Sequence, residues 1–188
     1  MIAWGVPLVA DCTIRRGTQG SAGSCYTIPP VSWSWPEQGA IANVLVEGGP
    51  APLLRGRAYG SVRVQAQGTL DLNCGDYFLT GDLYVASGSK IRVDTSCGPV
   101  RLYLSGSANL DGPVVSANGV DDGQVLLYSW GPSVRIAARA IANIAAPAGQ
   151  VVIDVPGATF SGAAYGRWVE VHQQMLVTHI PFVHECAP

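Results

Sequence analysis

Between Tyr59 and Val93 the chain repeats itself, and that repeat restricts the fold more than any single residue does. Gly60-Ser61-Val62-Arg63-Val64 returns 21 residues later as Gly81-Asp82-Leu83-Tyr84-Val85. At the same interval Leu70-Asp71-Leu72 returns as Ile91-Arg92-Val93. Cys74-Gly75-Asp76-Tyr77-Phe78-Leu79 returns as Cys97-Gly98-Pro99-Val100-Arg101-Leu102 after two extra residues, and Val100-Arg101-Leu102-Tyr103 returns 25 residues on as Val125-Leu126-Leu127-Tyr128. Triplets of short strands recurring every 20–25 residues or so mark a chain that coils, each turn burying its apolar face against the next. Within a triplet, apolar and polar residues alternate (Val62/Arg63/Val64, Ile91/Arg92/Val93), as in half-buried strands. An antiparallel sandwich also has closely spaced strands, but it does not repeat whole triplets. The repeat therefore predicts an all-β parallel β-helix, a solenoid of roughly triangular section with about five or six rungs.

The segments around the repeat differ from it. Residues 1–50 hold Trp4, Trp33, Trp35, the run Ile28-Pro29-Pro30 and the breaker Gly48-Gly49-Pro50. They read as an irregular N-terminal extension with one short strand at Ile41–Val46. The solenoid domain is expected over 51–180, with a C-terminal tail at 181–188. Ala137–Ala146 alone has helical propensity, but Pro132 and Pro147 flank it inside the repeat, so it is expected to continue as strand and corner.

Charge and composition exclude several classes of function. Only 13% of residues are charged, Lys90 is the single lysine, and the net charge is −2, which leaves no electrostatic footprint for a nucleic acid. No apolar run approaches the ~18 residues of a membrane span. The apolar start, Met1–Ala10, lacks a basic leader and carries Pro7, so it makes a poor signal peptide. Asp11 before Cys12 likewise spoils a lipoprotein processing site.

Five cysteines lack the close pairing of a zinc site. Cys74 and Cys97 fall at equivalent places in the repeat, where rungs about 4.8 Å apart would bring their backbones within disulfide reach. Cys12 and Cys25 flank a Gly/Ser-rich loop that a disulfide would staple, which leaves Cys186 free to bond another subunit. Disulfides favour an extracellular or cell-surface location.

Four motifs carry a family resemblance over about residues 54–178. The first comprises Tyr59-Gly60-Ser61-Val62 with Leu70-Asp71-Leu72 and Gly75–Leu79. Pro99–Gly106, Ile144–Val151 and Phe160–Val169 follow in the same order. Together they resemble a bacterial β-solenoid family of unknown function, found alone or behind pilus-assembly (PilX-like) N-terminal regions. The resemblance implies a right-handed β-helix at the cell surface or in surface appendages, with no catalytic residues to carry over. The Cys-bearing corners and the long N-terminal segment depart from the family pattern, and no prepilin-type apolar helix precedes the domain.

Candidate chemistry is sparse. His172, His179 and His184 with Glu170 and Glu185 offer transition-metal ligands, but Pro181 interrupts their spacing and they read as a polar tail. Asp71, Asp76, Asp82, Asp94, Asp111, Asp121 and Asp122 invite a calcium or polysaccharide-lyase reading. Most lie near corners, where Asp commonly bonds backbone, and Asp71 with Arg92 is expected to form a surface ion pair. Arg63, Asp71, Phe78, Tyr84, Arg92, Arg101 and Tyr103 are expected to face outward, which is no threonine array for ice. No enzyme, metal or cofactor is expected. The expected function is a structural surface subunit that self-associates head to tail, with Trp4, Tyr26, Trp33 and Trp35 as assembly contacts and Cys186 or Cys12 as a covalent lock. The alternative is adhesion to surface glycans through Tyr84, Tyr103 and Trp130.

Overall fold

The structure is a computed structural model that describes residues 41–53, 55–119, 123–172 and 175–180. The chain divides into two units, Met1–Trp35 and Pro36–Pro188, and the described residues lie in the second. Their regular elements are all strands, and every strand pairing is parallel.

The strands follow one another in threes. The first three are β1 (Val44–Glu47), β2 (Pro50–Pro52) and β3 (Ala58–Tyr59). Next come β4 (Val62–Gln65), β5 (Thr69–Asn73) and β6 (Gly75–Leu79), then β7 (Leu83–Val85), β8 (Lys90–Asp94) and β9 (Val100–Leu104). β10 (Ala108–Leu110), β11 (Val114–Ser116) and β12 (Val125–Ser129) form the fourth rung. β13 (Ser133–Ile136), β14 (Ala140–Ile141), β15 (Asn143–Ile153), β16 (Thr159–Ser161), β17 (Ala164–Val171) and β18 (Leu176–Thr178) are the remaining strands among the described residues. From β1 to β12 each strand pairs with the one three places on. The start of β15 pairs with β12 (Leu127↔Ile144) and its end with β13 (Val134↔Val151), so this long strand joins the first and third columns into one eleven-stranded sheet. The second column is a seven-stranded sheet running β2-β5-β8-β11-β14-β16-β18. The result is an all-β, nearly closed parallel arrangement, consistent with a coiling chain.

Sequence alternation decides what fills the interior. Val62, Val64, Leu83, Val85, Leu110, Val134, Ile136, Val151 and Ile153 line the first column, and Leu70, Leu72, Ile91, Val93 and Phe160 line the second; each is nearly or fully buried. In the third column Tyr77 fills the interior, and its hydroxyl donates to the Asn73 carbonyl (2.9 Å) while accepting from the Asn73 amide (3.0 Å). That clasp satisfies the backbone at the corner between β5 and β6. The region 137–146 is strand and corner as expected, with Ala140, Ala142, Ala145 and Ala146 buried.

The predicted registers Val62↔Leu83, Leu70↔Ile91 and Val100↔Val125 are present. Two expectations shift. β6 pairs with β9 as Gly75↔Val100 and Leu79↔Leu104, two residues beyond the alignment read from the cysteines. The corner after β8 is longer, and the Gly75 amide donates to the Pro99 carbonyl rather than to the residue after Cys97. Strand pairing also starts at Val44, ahead of residue 51, because Val44 and Val46 continue the inward column of Val62 and Val64. The Gly48-Gly49 breaker is a corner, with φ of 58° and 129°.

One corner explains the repeated Gly60, Gly81 and Gly106. These glycines stack, the Gly81 amide donating to the Gly60 carbonyl (3.3 Å) and the Gly106 amide to the Gly81 carbonyl (3.2 Å). A Cβ at Gly131, next in the column, would lie 2.1 Å from the Gly106 carbonyl oxygen. Only glycine permits rungs to approach this closely there.

Candidate functional site

The acids weighed for catalysis are engaged within the coil. Asp71 accepts both Arg92 Nε (2.8 Å) and Nη2 (2.7 Å), the expected ion pair one rung apart. Asp76 pairs with Arg101 at 3.0 Å and Asp111 with Arg135 at 2.5 Å. Asp94 accepts the Ser96 amide, a local turn that holds its carboxyl below its ordinary pKa. Asp82 instead reaches the next rung and accepts the Ser107 amide (2.8 Å). It belongs to a ladder at the glycine corner, where Ser61 Oγ accepts the Asp82 amide and Asn43 Oδ1 accepts the Ser61 amide. Each polar side chain there caps a backbone donor of its neighbour. Asp121 and Asp122 lie outside the described residues.

Cys74 and Cys97 are disulfide-bonded with Cα atoms 5.7 Å apart. Cys12, Cys25 and Cys186, and the assembly candidates Trp4, Tyr26, Trp33 and Trp35, lie outside the described residues, as do His184 and Glu185. Among the described residues no group of three or more His, Cys, Asp or Glu is arranged to hold a metal ion, and no helix is long and apolar enough to cross a membrane.

Of the three aromatics considered for glycans, Tyr103 and Trp130 fall on one aromatic column and Tyr84 lies on another. Tyr84 lies on the first column, with the Arg63 guanidinium 5.3 Å from its ring centre. Tyr103 lies on the third column and, contrary to its expected outward exposure, is only 4% exposed; Phe78 is equally closed at 7%. Both point away from the apolar core but stack on one another, with ring centres 5.3 Å apart and planes 13° from parallel. The stack continues through Tyr128 to Trp130. Burial pushes the Tyr103 and Tyr128 phenols above their ordinary pKa. This aromatic column was missed because alternation tells which side a residue leaves the strand, not whether that side is wet.

The distinctive surface lies on the last described strands, β17 and β18. Exposed large apolar residues concentrate there: Trp168, Val169 and Val171 on the second half of β17, and Leu176 and Val177 on β18. Val169 and Val171 continue the inward column of Val151 and Ile153, and Val177 continues that of Phe160. They are core positions with no following rung among the described residues. Beside them His172 is held on both ring nitrogens, Nδ1 to Asp154 (3.2 Å) and Nε2 to Glu170 (2.9 Å). The Glu170 hydrogen bond, with Asp154 adding to it, raises the imidazole above its ordinary pKa. With a different carboxylate on each nitrogen, this arrangement is an imidazolium clamp rather than a ligand set. His172 does not gather with His179, as a metal reading would require; its partner Asp154 comes from the preceding rung.

Comparison with protein-family models, with curated proteins and with solved structures found no match.

Proposed function

We propose that this chain is a right-handed parallel β-helix that serves as a structural subunit at the cell surface or outside the cell, associating head to tail through the ends of the coil. The observation that carries this reading is the set of core-position side chains, Val169, Val171 and Val177, left exposed at the C-terminal end. A parallel rung satisfies its backbone through the rungs on either side, so an end is a template for another chain. A heterologous contact between opposite ends propagates.

The first column supports such a contact in detail. The Val44 amide donates to Ser61 and the Gly48 amide to Ala66, so Leu45 and Glu47 direct their backbone groups to the outer edge of β1. The His172 amide donates to Ile153, so Val169 and Val171 direct theirs to the outer edge of β17. A second copy with Val46 over Val171 therefore matches donors to acceptors and valine to valine. The second column is weaker. Thr69 donates to Gly49 and Leu53 to Asp71, which turns Pro50 and Pro52 to the outer edge, where they have no N–H to give. A stack over β18 would lack those donors, so the joint would be reversible rather than a full ladder.

The disulfide supports an oxidising compartment, and the pairing of the acids with arginines or backbone supports a non-catalytic role. The pilus-associated family rests on the four motif resemblances and belongs to this proposal. Sedimentation velocity on the non-reduced protein tests the association, with Val171→Asp and Leu176→Asp as variants at exposed positions. Wild-type oligomers that grow with concentration and are lost in both variants are expected. A wild-type protein that stays monomeric at high concentration would overturn the reading.

A further inference from the structure

The outward residues that flank the first column's valines form a file along the coil. Glu47 is paired with Gln65 at one end, whose Nε2 donates to Glu47 Oε1 (2.7 Å). Toward the other end the charges alternate from rung to rung: Asp111, then Arg135, then Asp154, then His172. Arg135 touches Asp111 at 2.5 Å and Asp154 at 4.0 Å, and Asp154 touches His172 at 3.2 Å. The alternation thus closes on a titratable group, and His172 follows directly after Val171, the last valine of β17. In the register that places Val46 of a second copy over Val171, Glu47 of that copy comes over His172.

We propose that His172 gates the end-to-end contact: its protonated ring offsets the charge of Glu47 of a second copy, and its neutral ring leaves three carboxylates facing one another. This rests on the association reading above. The groups facing His172 are Asp154 from the turn after β15, Glu170 from β17 and, across the joint, Glu47; Gln150 holds the far oxygen of Glu170 (3.1 Å), and Arg135 stands behind Asp154. The imidazole of His172 changes charge near neutrality. With the ring protonated, a cation sits among the carboxylates of Asp154, Glu170 and Glu47. With the ring neutral, their repulsion is opposed only by apolar contact and by a hydrogen-bond ladder that Pro50 and Pro52 interrupt. Within one copy the Glu170 hydrogen bond and Asp154 raise the imidazole pKa, so the clamp is complete below the ordinary histidine pKa of about 6.5 and is lost as pH rises through the higher folded value; across the joint the sign follows from the charge of Glu47, which favours the protonated ring.

The test is sedimentation velocity at matched ionic strength from pH 5 to 8 on wild type, His172→Gln and Glu47→Gln. Association of the wild type should strengthen at least tenfold as pH falls through the histidine range. His172→Gln should lose that dependence, and Glu47→Gln should associate at pH 8 more readily than wild type. Because the protein's charge also nears neutrality at acid pH, a rise in association of equal size in His172→Gln would overturn the gate. Association that occurs at all pH values equally would overturn the gate and leave the assembly reading standing. A wild type monomeric throughout would sink both.

Discussion

Removing the Cys74–Cys97 disulfide should cost the coil about 3 kcal/mol, and the reason lies in the unfolded chain. The bond spans 23 residues, from the end of β5 to the corner after β8. Closing a loop of that length removes an entropy of about 2.1 + 1.5R ln n cal/mol/K from the denatured ensemble, or roughly 3.4 kcal/mol at 25 °C. In the native state the parallel ladder between β5 and β8 already holds the two corners together, Asn73 opposite Asp94, so the bond adds little to the folded side. For a chain of this size the loss corresponds to a melting point lower by about 7–14 °C. The double variant Cys74→Ala/Cys97→Ala and reduced wild type should be compared with oxidised protein by urea unfolding, followed by far-UV circular dichroism. Reduced wild type separates the cross-link from sulfur packing, since Cys74 is itself buried. Both should unfold at lower urea, with a steeper dependence because the uncross-linked chain exposes more surface. An oxidised–reduced difference below about 1 kcal/mol would refute the entropic argument and mean that the unfolded chain already keeps neighbouring rungs close.

Three further outcomes follow from single contacts. Tyr77→Phe strips the Asn73 amide and carbonyl of their shared partner at a part-buried corner and should destabilise by about 0.5–1.5 kcal/mol in the same urea assay. Gly131→Ala drives a Cβ to within 2.1 Å of the Gly106 carbonyl; it should cost about 1–3 kcal/mol or more, read as a lower melting temperature, whereas Gly88→Ala, which meets nothing within 4 Å but has a φ of 81°, tests backbone strain alone. Arg92→Ala should leave the urea midpoint close to that of wild type despite its bidentate geometry, because the pair is exposed and water screens it; a clear drop in the midpoint would show that the outward ion pairs hold neighbouring strands together.

Much of the architecture was legible in the chain itself. Strand alternation marked Val62, Val64, Leu70, Leu72, Ile91 and Val93 as interior, and all are buried. The interval between repeats located the registers of β4 on β7 and β5 on β8, and the matched cysteines located the disulfide. These features are local or periodic, so a linear reading recovers them. The recurrent glycine before β4, β7, β10 and β13 also carried a meaning visible only as repetition, and the stacked corner supplies its cause.

What the tertiary structure decided is what corner lengths control. The pairing of β6 with β9 runs two residues past the cysteine alignment because corner residues carry no periodic signal, and a few more of them displace every strand that follows. The same freedom brought His172 beside Asp154 of the preceding rung rather than beside His179. It also stacked Phe78 on Tyr103 out of water on a face that alternation alone marks as outward. Sequence by itself determined that this chain is all strand and which side chains go inside, because burial follows a two-residue period. Which outward groups meet, and what the last rung leaves uncovered, depended on the register summed over every corner, and that sum exists only in the folded chain.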